Sequence, residues 1–89
     1  MGSERKLSYQ LMDDIWDKEQ EMNQQYHVKT KRVELILIHP DFFNELAREK
    51  DTIEKDIGYR LLFYNKDGVS FRGIPMTETL DVEKWELRG

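Results

Sequence analysis

Apolar side chains return every three or four residues at the start of the chain. They are Leu7, Leu11, Met12, Ile15, Trp16, Met22 and Tyr26, with acidic residues and glutamines between them. That period is helical, and it predicts an amphipathic helix over residues 4–26. Its polar face carries Asp13, Asp14, Asp17, Lys18, Gln20, Glu21 and Gln24. The apolar stripe is wide and rich in Met and Trp. Laid on a sheet, it is core. Turned outward, it makes the helix a semi-independent arm that meets a second subunit or another partner through Leu11, Ile15, Trp16 and Met22.

Residues 32–38 begin with alternation and end in the run Leu35-Ile36-Leu37-Ile38. This is the pattern of a central strand covered on both faces at its far end, with Leu37 in the core. Pro40 suits the first position of a helix, where a missing N–H costs nothing, and Asp41 suits the positive first turn. Phe43, Leu46, Ala47, Lys50, Ile53 and Ile57 continue at helical steps, so a helix is expected over 41–56. Its polar face (Glu45, Arg48, Glu49, Asp51, Glu54, Lys55) reads as solvated surface. Gly58 follows where a C-terminal cap belongs.

Tyr59 to Tyr64 reads as the next strand, and Asn65-Lys66-Asp67-Gly68 as a type I turn with Gly in the left-handed position. Val69 to Arg72 then returns antiparallel. Gly73 marks a bulge or bend, after which Ile74-Pro75-Met76 continues at a sheet edge, where Pro is tolerated. Thr77 to Glu83 reads as a loop, and Lys84 to Arg88 alternates as a last short strand. The predicted class is therefore α+β. An N-terminal amphipathic helix precedes strand-helix-strand-strand-strand, with a small, mostly antiparallel sheet packed by helices. Residues 1–89 form a single domain with its core over 32–88.

The 89 residues suffice for one domain, which buries roughly 60–65% of the surface its unfolded chain exposes. Ten aromatic residues supply apolar surface that offsets the entropy of ordering. There is no cysteine, so neither disulfides nor thiolate chemistry can contribute. The longest aliphatic run is far short of the ~20 residues that span a bilayer. The polar start, Met1 to Lys6, predicts no secretory signal, so the expected compartment is cytoplasm. The net charge of −4 is spread evenly, with four basic against six acidic groups in residues 1–30, six against seven in 31–60, and four against five in 61–89. Phosphate-backbone binding needs a clustered basic face. Nucleic acid and membrane are therefore not expected partners.

Candidate chemistry is sparse. His27 and His39 lie in different segments, and no metal-ligand spacing joins them. Asp13, Asp14 and Asp17 read as solvated neighbours on one helix. There is no nucleophile–base arrangement and no Gly-rich phosphate loop. His39-Pro40-Asp41 matches the tripeptide of J-domain co-chaperones, but a strand-to-helix turn accounts for all three residues. No enzyme activity, metal or cofactor is expected.

The aromatic residues are less ordinary. Alternation places Tyr59, Phe63 and Phe71 on one sheet face, with Leu62 and Tyr64 on the other. With one helix over each face, all are core. With the first helix swung away, one face is bare, and Tyr64 and Trp85 become its anchors, since Tyr and Trp dominate binding hot spots.

Three stretches carry a resemblance: Val33-Glu34-Leu35-Ile36-Leu37-Ile38-His39-Pro40-Asp41-Phe42-Phe43, Phe71-Arg72-Gly73-Ile74-Pro75-Met76, and Trp85-Glu86-Leu87. Their order resembles a segment of tailed-phage major capsid proteins, and is similar to small phage and prophage proteins of about this length. The resemblance implies phage origin, a similar sheet-helix unit and residence in the bacterial host cytoplasm. It implies no functional residue. The expected function is non-enzymatic, acting through assembly-related protein–protein contacts, with the chain itself (as a homo-oligomer) or a host or phage protein as partner. The alternative is a host-takeover or anti-defence protein that inhibits a host enzyme or sequesters a small signalling ligand.

Overall fold

A computed structural model describes residues 6–26, 31–66 and 68–89. His27 and Asp67 lie outside the described residues, as does the side chain of Tyr26. The elements are α1 (Leu7–Tyr26), β1 (Leu35–Ile38), α2 (Pro40–Ile57), β2 (Leu62–Asn65), β3 (Gly68–Phe71), β4 (Ile74–Glu78) and β5 (Trp85–Arg88). The fold is α+β, with one five-stranded sheet in the order β2-β3-β4-β1-β5. Only the β1–β4 pair is parallel.

The start of α2 follows from His39-Pro40-Asp41. His39 is the N-cap in extended conformation, and its Nδ1 accepts from the Asp41 N–H at 3.1 Å. Pro40 opens the helix with φ already set. Gly58, at φ 81°, closes it by donating its N–H to the Glu54 carbonyl. A left-handed terminal residue of this kind is cheap only for Gly.

Between β3 and β4 the chain departs from the expected bend. Phe71 pairs with Ile74, so Arg72 and Gly73 are a two-residue hairpin turn, with φ values of 52° and 86°. Positive φ at both positions is the type I′ geometry, whose twist matches that of the flanking strands. The chain therefore reverses at Gly73, and Ile74–Glu78 is a separate strand. Nor is it an edge: β4 lies between β3 and β1. Pro75 is tolerated there because antiparallel pairs alternate. The pair beside the tight turn is hydrogen-bonded, so the next, Ser70–Pro75, leaves the proline nitrogen facing β1. The β1–β4 pairing begins one residue later, at Ile36–Met76.

Both helices lie on the same face of the sheet, rather than one on each. Register places Ile36, Ile38, Met76, Phe71, Leu62, Trp85 and Leu87 on one face. Trp85 there donates its indole N–H to Asp14 of α1 and sets its ring edge-on to Phe42 of α2. Leu11, Ile15 and Met22 of α1 share one core with Leu46 and Ile53 of α2 and with Ile36, Ile38, Leu62, Phe71 and Met76 of the sheet. The opposite face carries Leu35, Leu37, Pro75, Thr77, Glu86 and Arg88. Leu37 is only half-buried, so β1 is not covered on both faces. The alternation of β4 and β5 is the mark of a sheet with one covered face. Phe71 accordingly shares a face with Leu62 and not with Phe63.

Carboxylates of the helices fasten the segments that pack against them. Glu49 Oε1 accepts from the Ser8 N–H at 2.7 Å, and Glu19 Oε2 from the Val33 N–H at 3.0 Å. Glu54 Oε2 accepts from both Leu61 and Leu62, at 2.6 and 3.1 Å. Glu49 and Glu54 are therefore tethers at the surface of the core and not merely solvated charge.

Candidate functional site

Of the six residues singled out for contacts, Leu11, Ile15 and Met22 are buried in the chain's own core. Trp85 is half-buried on the covered face. Its indole N–H is held 2.8 Å from Asp14 Oδ2, and the Lys84 ammonium lies 4.4 Å from its ring centroid. Trp16 and Tyr64 remain open to solvent, at 62% and 59% exposure. The structure does not bring them together, since one stands on α1 and the other on the edge strand β2.

Phe63 and Tyr64 lie on opposite faces, as alternation expects, and both are exposed. Tyr59 and Phe63 are 50% and 43% exposed, and the Arg60 guanidinium lies 5.7 Å from the Phe63 ring centroid. Three aromatic residues within six positions thus reach solvent at one border of the sheet. Placing Phe63 in the core depended on pairing its face with Phe71, which the register reverses.

The backbone of β2 is equally open. Arg72 N–H donates to the Leu61 carbonyl at 2.8 Å, which makes Leu61–Arg72 a hydrogen-bonded position. By the alternation of antiparallel pairs, Phe63–Ser70 and Asn65–Gly68 are also hydrogen-bonded, while Leu62 and Tyr64 point their N–H and C=O groups away from β3. The Leu62 N–H is taken up by Glu54, as is that of Leu61 just before the strand. The Tyr64 N–H and C=O lie on the outer border of the sheet.

The two sheet edges differ in chemistry. β5 bears Glu86 and Arg88, ion-paired at 2.6 Å, and charge of this kind blunts an edge against further pairing. β2 reads Leu-Phe-Tyr-Asn, with no charge in its four residues. Concave features elsewhere include an open groove of about 410 Å³ between α1 and β5, lined by Asp14, Asp17, Lys18, Glu21, Trp85, Glu86 and Leu87, and a smaller cavity beside the Arg72–Gly73 turn.

Among the described residues no group of His, Asp or Glu is placed to hold a metal ion. Every buried side-chain nitrogen or oxygen among them has a hydrogen-bond partner. No described helix is long and apolar enough to cross a membrane. Compared with known families, curated proteins and solved structures, the chain matches none.

Proposed function

We propose that this is a non-enzymatic protein that works through protein–protein contacts, and that its first partner is a second copy of itself. The observation that carries this reading is the β2 edge. It is uncharged, flanked by exposed aromatic rings, and presents the backbone of Tyr64 to solvent. Two such edges meet antiparallel about a two-fold axis at Tyr64, where each Tyr64 N–H donates to the Tyr64 carbonyl of the other copy. This is the isologous, self-complementary geometry that a symmetric dimer requires, built by strand addition. The same register sets Lys66 of each copy opposite Leu62 of the other, beside the Glu54 carboxylate, so charge is complementary at the flanks.

Sedimentation velocity of wild type and Tyr64→Pro tests the proposal. Proline removes an N–H that faces away from β3, so the fold persists while strand addition is lost. The expected result is a wild-type dimer at micromolar concentration and a folded, monomeric variant. A monomeric wild type overturns the reading.

The phage origin is proposed on the three sequence stretches alone, with assembly as the setting that suits a self-pairing module. The acidic groove between α1 and β5 favours the second reading, inhibition of a basic host protein. In that case a basic partner, rather than a second copy, is captured, and reversing the charge of Asp17 and Glu21 abolishes capture.

A further inference from the structure

A cavity of about 140 Å³ opens between α1, the segment before β1 and the β3–β4 turn. Ile15, Val33 and Ile74 form its apolar part, and Arg32 and Arg72 stand at its margin. Both arginines are exposed, and neither is ion-paired among the described residues. Glu19 also lines the cavity, with Oε2 committed to the Val33 N–H. Two guanidinium groups against one carboxylate leave a single net positive charge. The space, part apolar and part polar and open on one side, is close in volume to the ~150 Å³ enclosed cavity that accommodates benzene.

The backbone gives an independent reason to single out Arg72. It sits at φ 52° in the type I′ turn, where Asn or Gly is the unstrained choice. Strained residues held against local preference concentrate at functional sites. Arginine here is a poor turn residue, but it sets a forked donor beside the cavity, the group best suited to a carboxylate.

We infer that this cavity binds a small organic monoanion, a ring-sized or branched apolar body bearing one carboxylate held between Arg32 and Arg72. The net charge of the lining favours a monoanion over a phosphate dianion, and the volume takes a body of about one ring. The site is separate from the β2 edge and does not depend on self-association.

The probe is benzoate, titrated into the full chain and followed by methyl resonances of Ile15 and Ile74, with benzamide as its neutral isostere and inorganic phosphate as competitor. Saturable shifts with benzoate are expected, with benzamide weaker by about tenfold or more, the scale of one lost charge-assisted interaction. Phosphate should compete poorly. Arg72→Asn should abolish binding while the melting temperature stays level or rises, and Arg32→Gln should weaken binding with the fold intact. The inference is overturned if benzoate does not bind at millimolar concentration, if benzamide binds equally well, or if Arg72→Asn binds as wild type does. Effective competition by phosphate would overturn the assignment to a carboxylate.

Discussion

The Glu49 carboxylate of α2 caps the first turn of α1, accepting the Ser8 N–H at 2.7 Å across 41 residues of sequence. α1 has no acidic residue in its own first turn. Its second residue, Ser8, is buried at 1% exposure. A helix leaves its first N–H groups without internal partners and favours negative charge beside them, so α2 supplies what α1 lacks. The same contact holds the two helices side by side on one sheet face.

Removing that cap has a defined cost. Glu49→Ala is expected to destabilise the domain by about 1–2 kcal/mol, the range for losing an N-cap. Glu49→Gln keeps a neutral acceptor and should recover part of the loss. Urea denaturation of the three proteins measures both, and a change in Glu49→Ala below about 0.5 kcal/mol, the ordinary surface range, would remove the tether from the account.

Adjacent residues of β1 should respond very differently. Ile36 is fully buried under both helices, whereas Leu37 is half-buried on the open face. Ile36→Ala should cost about 2–5 kcal/mol, and Leu37→Ala less than half as much. Equal losses in urea melts would mean that something covers the second face.

The β3–β4 turn predicts a substitution that stabilises. Arg72→Asn creates the Asn-Gly pair that type I′ turns favour and relieves part of the ~1–2 kcal/mol that a side chain incurs in the left-handed region. A gain of about 0.5–1 kcal/mol is expected by thermal denaturation. Gly73→Ala, with φ at 86°, should instead lose about 1 kcal/mol or more. If both variants melt as wild type does, the turn is not type I′.

On α1, position decides the outcome. Trp16 is exposed and Leu11 fully buried. Trp16→Glu should leave stability within about 0.5 kcal/mol and leave the dimer intact, whereas Leu11→Glu should unfold the chain. Loss of the dimer in a folded Trp16→Glu variant, read by light scattering with circular dichroism, would move the contact from β2 to the first helix.

Local chemistry made much of this fold legible in the sequence. Pro40 and Gly58 bracket α2 because each acts through its own backbone. The run at Leu35–Ile38 and the alternation at Trp85–Arg88 mark their strands for the same reason. Arg72–Gly73 was harder to read, because arginine carries no turn signal and a lone Gly between apolar segments also fits a bulge. The roles of Glu19, Glu49 and Glu54 were hidden as well. A carboxylate on a helix's polar face looks the same in sequence whether water or a distant N–H takes its lone pairs. Tyr64 was picked out by residue type, but the exposure of Phe63 depended on the register of β2 against β3, which alternation alone does not set.

Amide hydrogen exchange at Tyr64, measured as a function of protein concentration, tests the self-pairing edge most directly. Phe63 donates into the β3 ladder within one chain, so its amide should be protected at every concentration. The Tyr64 amide, which points away from β3, should exchange freely in dilute protein and become protected as concentration rises through the dimerisation range. Tyr64 exchange that stays fast and independent of concentration, while Phe63 remains protected, would contradict strand addition at β2.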